Sequence, residues 1–249
     1  MLIHLILSIG WKGINLKIVN SKLENMSDYN KTTTCNVYSI NVEVNNIEVR
    51  ATEMIDMIAD TSWISKLDII SRISYKARSK TTIDKLINGI LKQVTTTVNS
   101  EFGEFLISVT AQDSLELEHN HIKVPLAELF KEKKTGNPGF DFHTESNTQL
   151  ISFGEAKYSG VTNPYTNALT QISRFISLEK DKMELQDLQN FVSKESIENI
   201  LDNKKAFVAA FSINSENPEV IIQNALKSEH IIPLLSFDEL YIIGIKIND

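Results

Sequence analysis

Hydrophobic and polar positions alternate with a period that changes several times along the chain, and each change marks an element. Asn41-Val42-Glu43-Val44-Asn45-Asn46-Ile47-Glu48-Val49 alternates around an Asn-Asn pair. Asparagine tolerates left-handed backbone, so residues 37–50 are predicted to form a β-hairpin. From Thr82 the period lengthens, and Ile83, Leu86, Ile87, Ile90, Leu91 and Val94 fall on one face of a helix. A second helix is predicted over about 100–115, capped by Ser100, with Phe102, Phe105, Leu106 and Val109 on its apolar face and Glu101 and Glu104 near its first turn.

Beyond a lysine- and glycine-rich loop at 131–139 the alternation returns. Phe140–His143 reads as a short strand, Thr144–Thr148 as a turn and Leu150–Lys157 as a second strand, so the two form a hairpin. A helix is expected from Asn163-Pro164 to about Lys180, with Leu169, Ile172, Phe175 and Ile176 as its stripe. Phe207–Ile213 reads as a buried strand, residues 219–227 as a short helix and Leu240–Ile247 as a terminal strand. With nine glycines, five prolines and no repeat, boundaries rest on periodicity alone. The expectation is an N-terminal hairpin-plus-helix extension over 1–99, then a unit over 100–249 whose order is helix, strands, helix, strand.

Composition narrows the function classes. The 25 basic and 32 acidic residues give a formal charge of −7, which excludes a protein that coats nucleic acid by bulk charge and leaves only a local basic surface. The single cysteine, Cys35, permits no internal disulfide and no cysteine-built zinc site, and it fits a reducing, cytoplasmic setting. The apolar run Met1–Ile9 falls short of the roughly 20 residues that span a bilayer and lacks a basic flank, so neither a membrane span nor a secretory signal is expected. It reads as an edge strand or as residues added by an early start, with Met26-Ser27-Asp28-Tyr29 a second plausible start.

The candidate chemistry sits on the 140–157 hairpin. Glu155 and Lys157, two apart on a strand, share a face, and a turn centred near Ser146 sets Asp141 opposite residues 152–154, one step from Glu155. Two carboxylates and an ammonium thereby converge. Carboxylate oxygens are suited to Mg²⁺, and a lysine beside them stabilises negative charge developing on a phosphate. Two carboxylates held close also repel, which raises one pKa and favours a bound cation.

Pro138-Gly139-Phe140-Asp141, a hairpin and Glu155-Ala156-Lys157 together resemble the PD-(D/E)XK nuclease superfamily. The resemblance implies an α/β restriction-endonuclease-like core, a mixed central sheet flanked by helices in the order helix, three strands, helix, strand. It further implies a Mg²⁺- or Mn²⁺-dependent deoxyribonuclease with Asp141, Glu155, Lys157 and Gln171 as catalytic residues. Glu104, Asp141, Glu155 and Ala156 are then the metal positions, with Glu101 a competitor for the helix acid. Gln171 followed by Phe175 matches the glutamine and aromatic of RecB-like members, which usually carry tyrosine there.

A narrower resemblance, to the C-terminal domain shared by the Hachiman anti-phage nuclease subunit HamA and the anti-bacteriophage protein AbpA, rests on three segments. They are Gly139-Phe140-Asp141-Phe142-His143, Phe153-Gly154-Glu155-Ala156-Lys157-Tyr158 and Ala168–Phe175. It implies antiviral defence beside a helicase partner.

Other candidates are weaker. His119-Asn120-His121 lacks a third zinc ligand and reads as a solvated loop, and His143, on the strand face of Asp141, reads as a surface or site-rim residue. No glycine-rich nucleotide loop occurs, so any ATP-driven step belongs to a helicase or ATPase partner. Cys35 reads as an idle or buried thiol. Residues 61–92 hold seven basic residues (Lys66, Arg72, Lys76, Arg78, Lys80, Lys85 and Lys92) against Asp68 and Asp84, a stretch suited to a phosphate backbone or an acidic partner. Lys131, Lys133 and Lys134 precede the hairpin and are placed to contact DNA. The alternatives to a defence nuclease are an inactive copy of the fold serving as a nucleic-acid- or partner-binding module, or a restriction or repair nuclease.

Overall fold

The computed structural model describes residues 15–93, 98–130 and 139–248. The chain order is β1 (Lys17–Glu24), β2 (Asn36–Val44), α1 (Ile47–Ala59), α2 (Ser62–Ser65), α3 (Ile69–Asp84), α4 (Ser100–His119), β3 (Ile122–Lys123) and α5 (Ala127–Phe130). It continues with β4 (Phe142–Glu145), β5 (Ile151–Lys157), α6 (Tyr165–Ser177), α7 (Lys180–Met183), α8 (Leu185–Leu188), α9 (Lys194–Leu201), β6 (Ala206–Ile213), α10 (Pro218–Lys227) and β7 (Glu239–Ile247). Among the described residues seven strands form one mixed sheet in the order β1-β2-β7-β6-β5-β4-β3. The central strands β2, β7, β6 and β5 run parallel, with antiparallel partners at both edges.

Helices cover both faces, which is why β6, Ala206–Ile213, reads as an unbroken apolar run and is buried throughout. On one face α6 and α10 pack over Phe153, Phe207, Phe211 and Ile242. On the other, α1 and α4 pack over Phe142, Ala156, Val208 and Ile243. The strands at 151–157, 206–213 and 239–247 and the helix at 218–227 stand within a residue of where periodicity set them, and the fold is mixed α/β. β4 runs over Phe142–Glu145 rather than 140–143, taking Thr144 and Glu145 out of the expected turn and into the ladder.

Several expectations are corrected. The 37–50 hairpin does not form: Asn46 is a helix cap, its side chain accepting from Val49 N at 2.9 Å, and α1 follows. Ile47, Ala51, Met54 and Ile58 make a helical stripe that the preceding alternation masked. The antiparallel partner of β2 is β1, Lys17–Glu24, which lies ahead of the second plausible start at Met26. The helix expected from Thr82 begins at Ile69, capped by Asp68, and passes into π-helical and 3₁₀ turns at Lys85–Ile90 and Leu91–Gln93; Val94 lies outside the described residues. Asn99 rather than Ser100 caps α4, accepting from Phe102 N at 2.8 Å. The helix expected to reach Lys180 ends at Ser177, and Glu179 takes left-handed backbone (φ 56°) before α7.

The 99/100 boundary does not interrupt the sheet. β2 pairs with β7 from Asn36 to Val44, and Arg50 on α1 donates to Asp113 on α4, both side chains buried. The run Met1–Ile9 falls outside the described residues. Among the described residues no helix is long and apolar enough to cross a membrane.

Candidate metal and catalytic site

The register of the hairpin decides which side chains meet. Phe142 faces Gly154 and His143 faces Phe153, so one step further sets Asp141 opposite Glu155, one residue beyond the 152–154 expected. Main-chain bonds hold it there. Asp141 N donates to Gly154 O and Ala156 N donates to Asp141 Oδ2, each at 2.9 Å. Gly154 permits the close approach, since a Cβ at that position would come within 2.3 Å of the Phe142 ring. Gly154→Ala is accordingly expected to cost about 1–3 kcal/mol through overpacking, measurable as a lower denaturant midpoint.

Glu155 is fully buried. Its Oε1 accepts from Lys157 Nζ at 2.5 Å; its Oε2 meets no N–H or O–H donor, and Asp141 is a hydrogen-bond partner of this carboxyl only when the pair holds a proton. Burial, and then the Asp141 charge, hold the Glu155 carboxyl well above the usual carboxylate range. For Lys157, burial pulls the ammonium pKa down, but Glu155, Asp141 and Glu104 outweigh it and the net shift is upward.

That last influence separates the two candidate helix acids. The charge of Glu104 acts on Lys157, whereas Glu101 pairs with Lys85 at 3.5 Å. Gly103 fixes the neighbouring turn of α4, because the Tyr158 ring lies where a Cβ would stand, 2.2 Å from its nearest atom. A bare helix turn packed on the residue after Lys157 thus sets where Glu104 lies relative to β5.

The pair Asp141 and Glu155 suits a divalent cation: two carboxyl groups meet in the interior, and one buried oxygen meets no donor unless a proton or a cation lies between them. Ala156 can offer an ion only its backbone carbonyl. Among the described residues, however, no three His, Cys, Asp or Glu side chains gather into one metal-binding group. Gln171 is half-buried on α6, and no hydrogen bond joins it to Asp141, Glu155 or Lys157. Its neighbour Phe175 is core, packing on Phe140 at 5.1 Å between ring centroids. Pro138, Lys131, Lys133 and Lys134 lie outside the described residues.

Three histidine readings change. His143 is neither surface nor rim: it is fully buried among Phe130, Phe140 and Phe153, with Nε2 2.7 Å from Glu184 Oε2. His119 ends α4 and Asn120 takes the left-handed position that closes the helix. His121 is buried between Thr144 Oγ1 (2.8 Å) and Tyr241 OH (3.1 Å), and burial lowers its pKa to about 3, so it stays neutral. Cys35 is buried, and burial foremost pushes its thiol up to about 12, which makes it inert.

Sequence reasoning missed three acids. Asp181, Glu184 and Asp187 recur every third residue, and each ties the 180–188 segment to a different element. Asp181 pairs with buried Lys205 before β6, Glu184 reaches Phe140 N (3.0 Å) and His143, and Asp187 accepts from Tyr75 OH on α3 at 2.7 Å. The only sequence signal was that spacing, which also suits a solvated helix face. No protein-family model and no curated protein matches the chain.

The raised Glu155 pKa gives a signed pH effect. The folded state holds this proton more tightly than the unfolded chain, so its contribution to stability is complete below about pH 4.5 and disappears as pH rises through the folded-state pKa. In metal-free buffer, Glu155→Gln should therefore gain melting temperature over the wild type as pH rises. Parallel melting curves across the pH series would refute this.

Proposed function

We propose that the chain is a metal-dependent deoxyribonuclease of the PD-(D/E)XK kind, hydrolysing phosphodiester bonds at Asp141, Glu155 and Lys157. The observation that carries this reading is the buried Glu155 facing Asp141, with an Oε2 that meets no donor and the Lys157 ammonium on its other oxygen. Element order supports it as well: α4, the antiparallel β3-β4-β5, α6, then β6 parallel to β5.

Asp141 and Glu155 would hold Mg²⁺ or Mn²⁺, with Ala156 offering its carbonyl and Glu104 near Lys157. When bound, the ion polarises the phosphate and makes a water acidic enough to attack. Lys157 supplies positive charge where negative charge grows on the phosphate. The exposed basic residues of α3, Arg72, Lys76 and Lys80, supply the local positive surface that a chain of charge −7 needs to meet DNA. A nuclease lacking an ATP loop suits control by a helicase or ATPase partner in cytoplasmic anti-phage defence, with residues 1–99 contributing the contact surface. Exposed Ile69, Ile70 and Ile73 on α3 are candidates for it.

The competing reading is an inactive nuclease-like binding module. It is favoured by the lack of a third clustered acid among the described residues and by the closeness of Lys157 to Glu155. Cleavage of supercoiled plasmid separates the two. The nuclease reading expects nicking with Mg²⁺ or Mn²⁺, little with Ca²⁺, and none for Asp141→Asn; DNA binding without nicking under any divalent ion supports the module.

A further inference from the structure

Asp141 lies just outside the paired residues of β4; its own bonds to Gly154 and Ala156 place it opposite Glu155, and the residues beside it decide how firmly that placement is kept. Glu184, between α7 and α8, spans them. Its Oε1 accepts from Phe140 N, immediately before Asp141, at 3.0 Å, and its Oε2 lies 2.7 Å from His143 Nε2, two residues after. The carboxylate and both partners are buried, where hydrogen bonds face little competition from water.

The segment bearing Glu184 is itself anchored at both ends, by Asp181 to Lys205 ahead of β6 and by Asp187 to Tyr75 on α3. A carboxylate that ties the residues on either side of Asp141 to an anchored segment limits how far this stretch of backbone can shift relative to Glu155. We infer that Glu184 is a positioning residue for this site: it contacts neither substrate nor ion, but brackets Asp141 so that its carboxylate and that of Glu155 meet a cation together. This inference rests on the proposed metal-site reading.

The test measures divalent-ion affinity of the full-length chain by calorimetry with Mn²⁺ alone, alongside thermal melting. Wild type should bind and Asp141→Asn should not. Glu184→Ala loses both bonds and should weaken Mn²⁺ binding about 10- to 100-fold, as removing an outer-shell partner of a ligand does. Should that variant fail to fold, Glu184→Asp, which keeps the charge but is one methylene too short to span both partners, should weaken binding about tenfold. Asp187→Ala removes a tie of the same segment to α3 without touching the strand of Asp141, so it should lower the melting temperature yet leave Mn²⁺ affinity within about threefold of wild type.

Wild-type affinity in a folded Glu184 variant would overturn the inference, as would equal losses in Glu184→Asp and Asp187→Ala. If the wild type binds no Mn²⁺, or Asp141→Asn binds as well as the wild type, the metal-site reading itself fails and the inference falls with it.

Discussion

Lys157→Ala is expected to lower DNA cleavage about 100- to 1,000-fold with the fold intact, the loss typical of removing one preorganised group that stabilises transition-state charge. Lys157 ends β5 and belongs to neither apolar cluster, so its removal takes no apolar packing from the core. Glu155 then loses its positive neighbour and retains its proton more firmly, which limits the cost of leaving it buried. The melting temperature should therefore stay close to that of the wild type while nicking of plasmid DNA in Mg²⁺ collapses. Undiminished nicking by the variant would place the chemistry elsewhere in the chain or in a contaminant.

Deleting residues 1–80 is expected to abolish cooperative folding. The deletion uncovers the β7 edge along the nine pairs from Asn36↔Glu239 to Val44↔Ile247. It also strips Ile40, Val42, Met54 and Ile58 from the core on the α4 face. Asp113 loses buried Arg50, and breaking a buried pair by removing one partner costs about 3–5 kcal/mol, a large share of a typical domain's stability. Near-ultraviolet circular dichroism and thermal melting would show this directly. A truncated chain that melted cooperatively with the site formed would mean that 1–99 and 100–249 are separable after all. Partner docking is better probed by single changes at exposed Ile70 and Ile73, which leave the sheet complete.

The 140–157 hairpin was legible because alternation marked both of its strands, although the expected turn at 144–148 took in Thr144 and Glu145, which pair with Ser152 and Ile151. Its register still slipped by a residue: sequence gives turn composition, whereas the pairing of Phe142 with Gly154 depends on an aromatic ring lying over a glycine. The segment at 41–49 misled for the opposite reason. The same asparagine pair serves a turn or a helix cap, and what favours the cap is the burial of Ile47, Ala51, Met54 and Ile58 in the α4-side core, a tertiary fact. His143 was unreadable for a related reason. Strand alternation gave its face but could not show that Glu184, forty-one residues on, would meet it in the interior. The sequence pattern left Glu104 and Glu101 equivalent; in the fold the charge of Glu104 acts on Lys157 while Glu101 pairs with Lys85.

The central claim, that Asp141 and Glu155 form a cation site, is tested most directly by titrating Mn²⁺ into the metal-free full-length protein and into Asp141→Asn. The account expects one saturable site in the wild type that raises its melting temperature, and loss of both effects in the variant. Absence of binding in the wild type, or binding unchanged in Asp141→Asn, would contradict it.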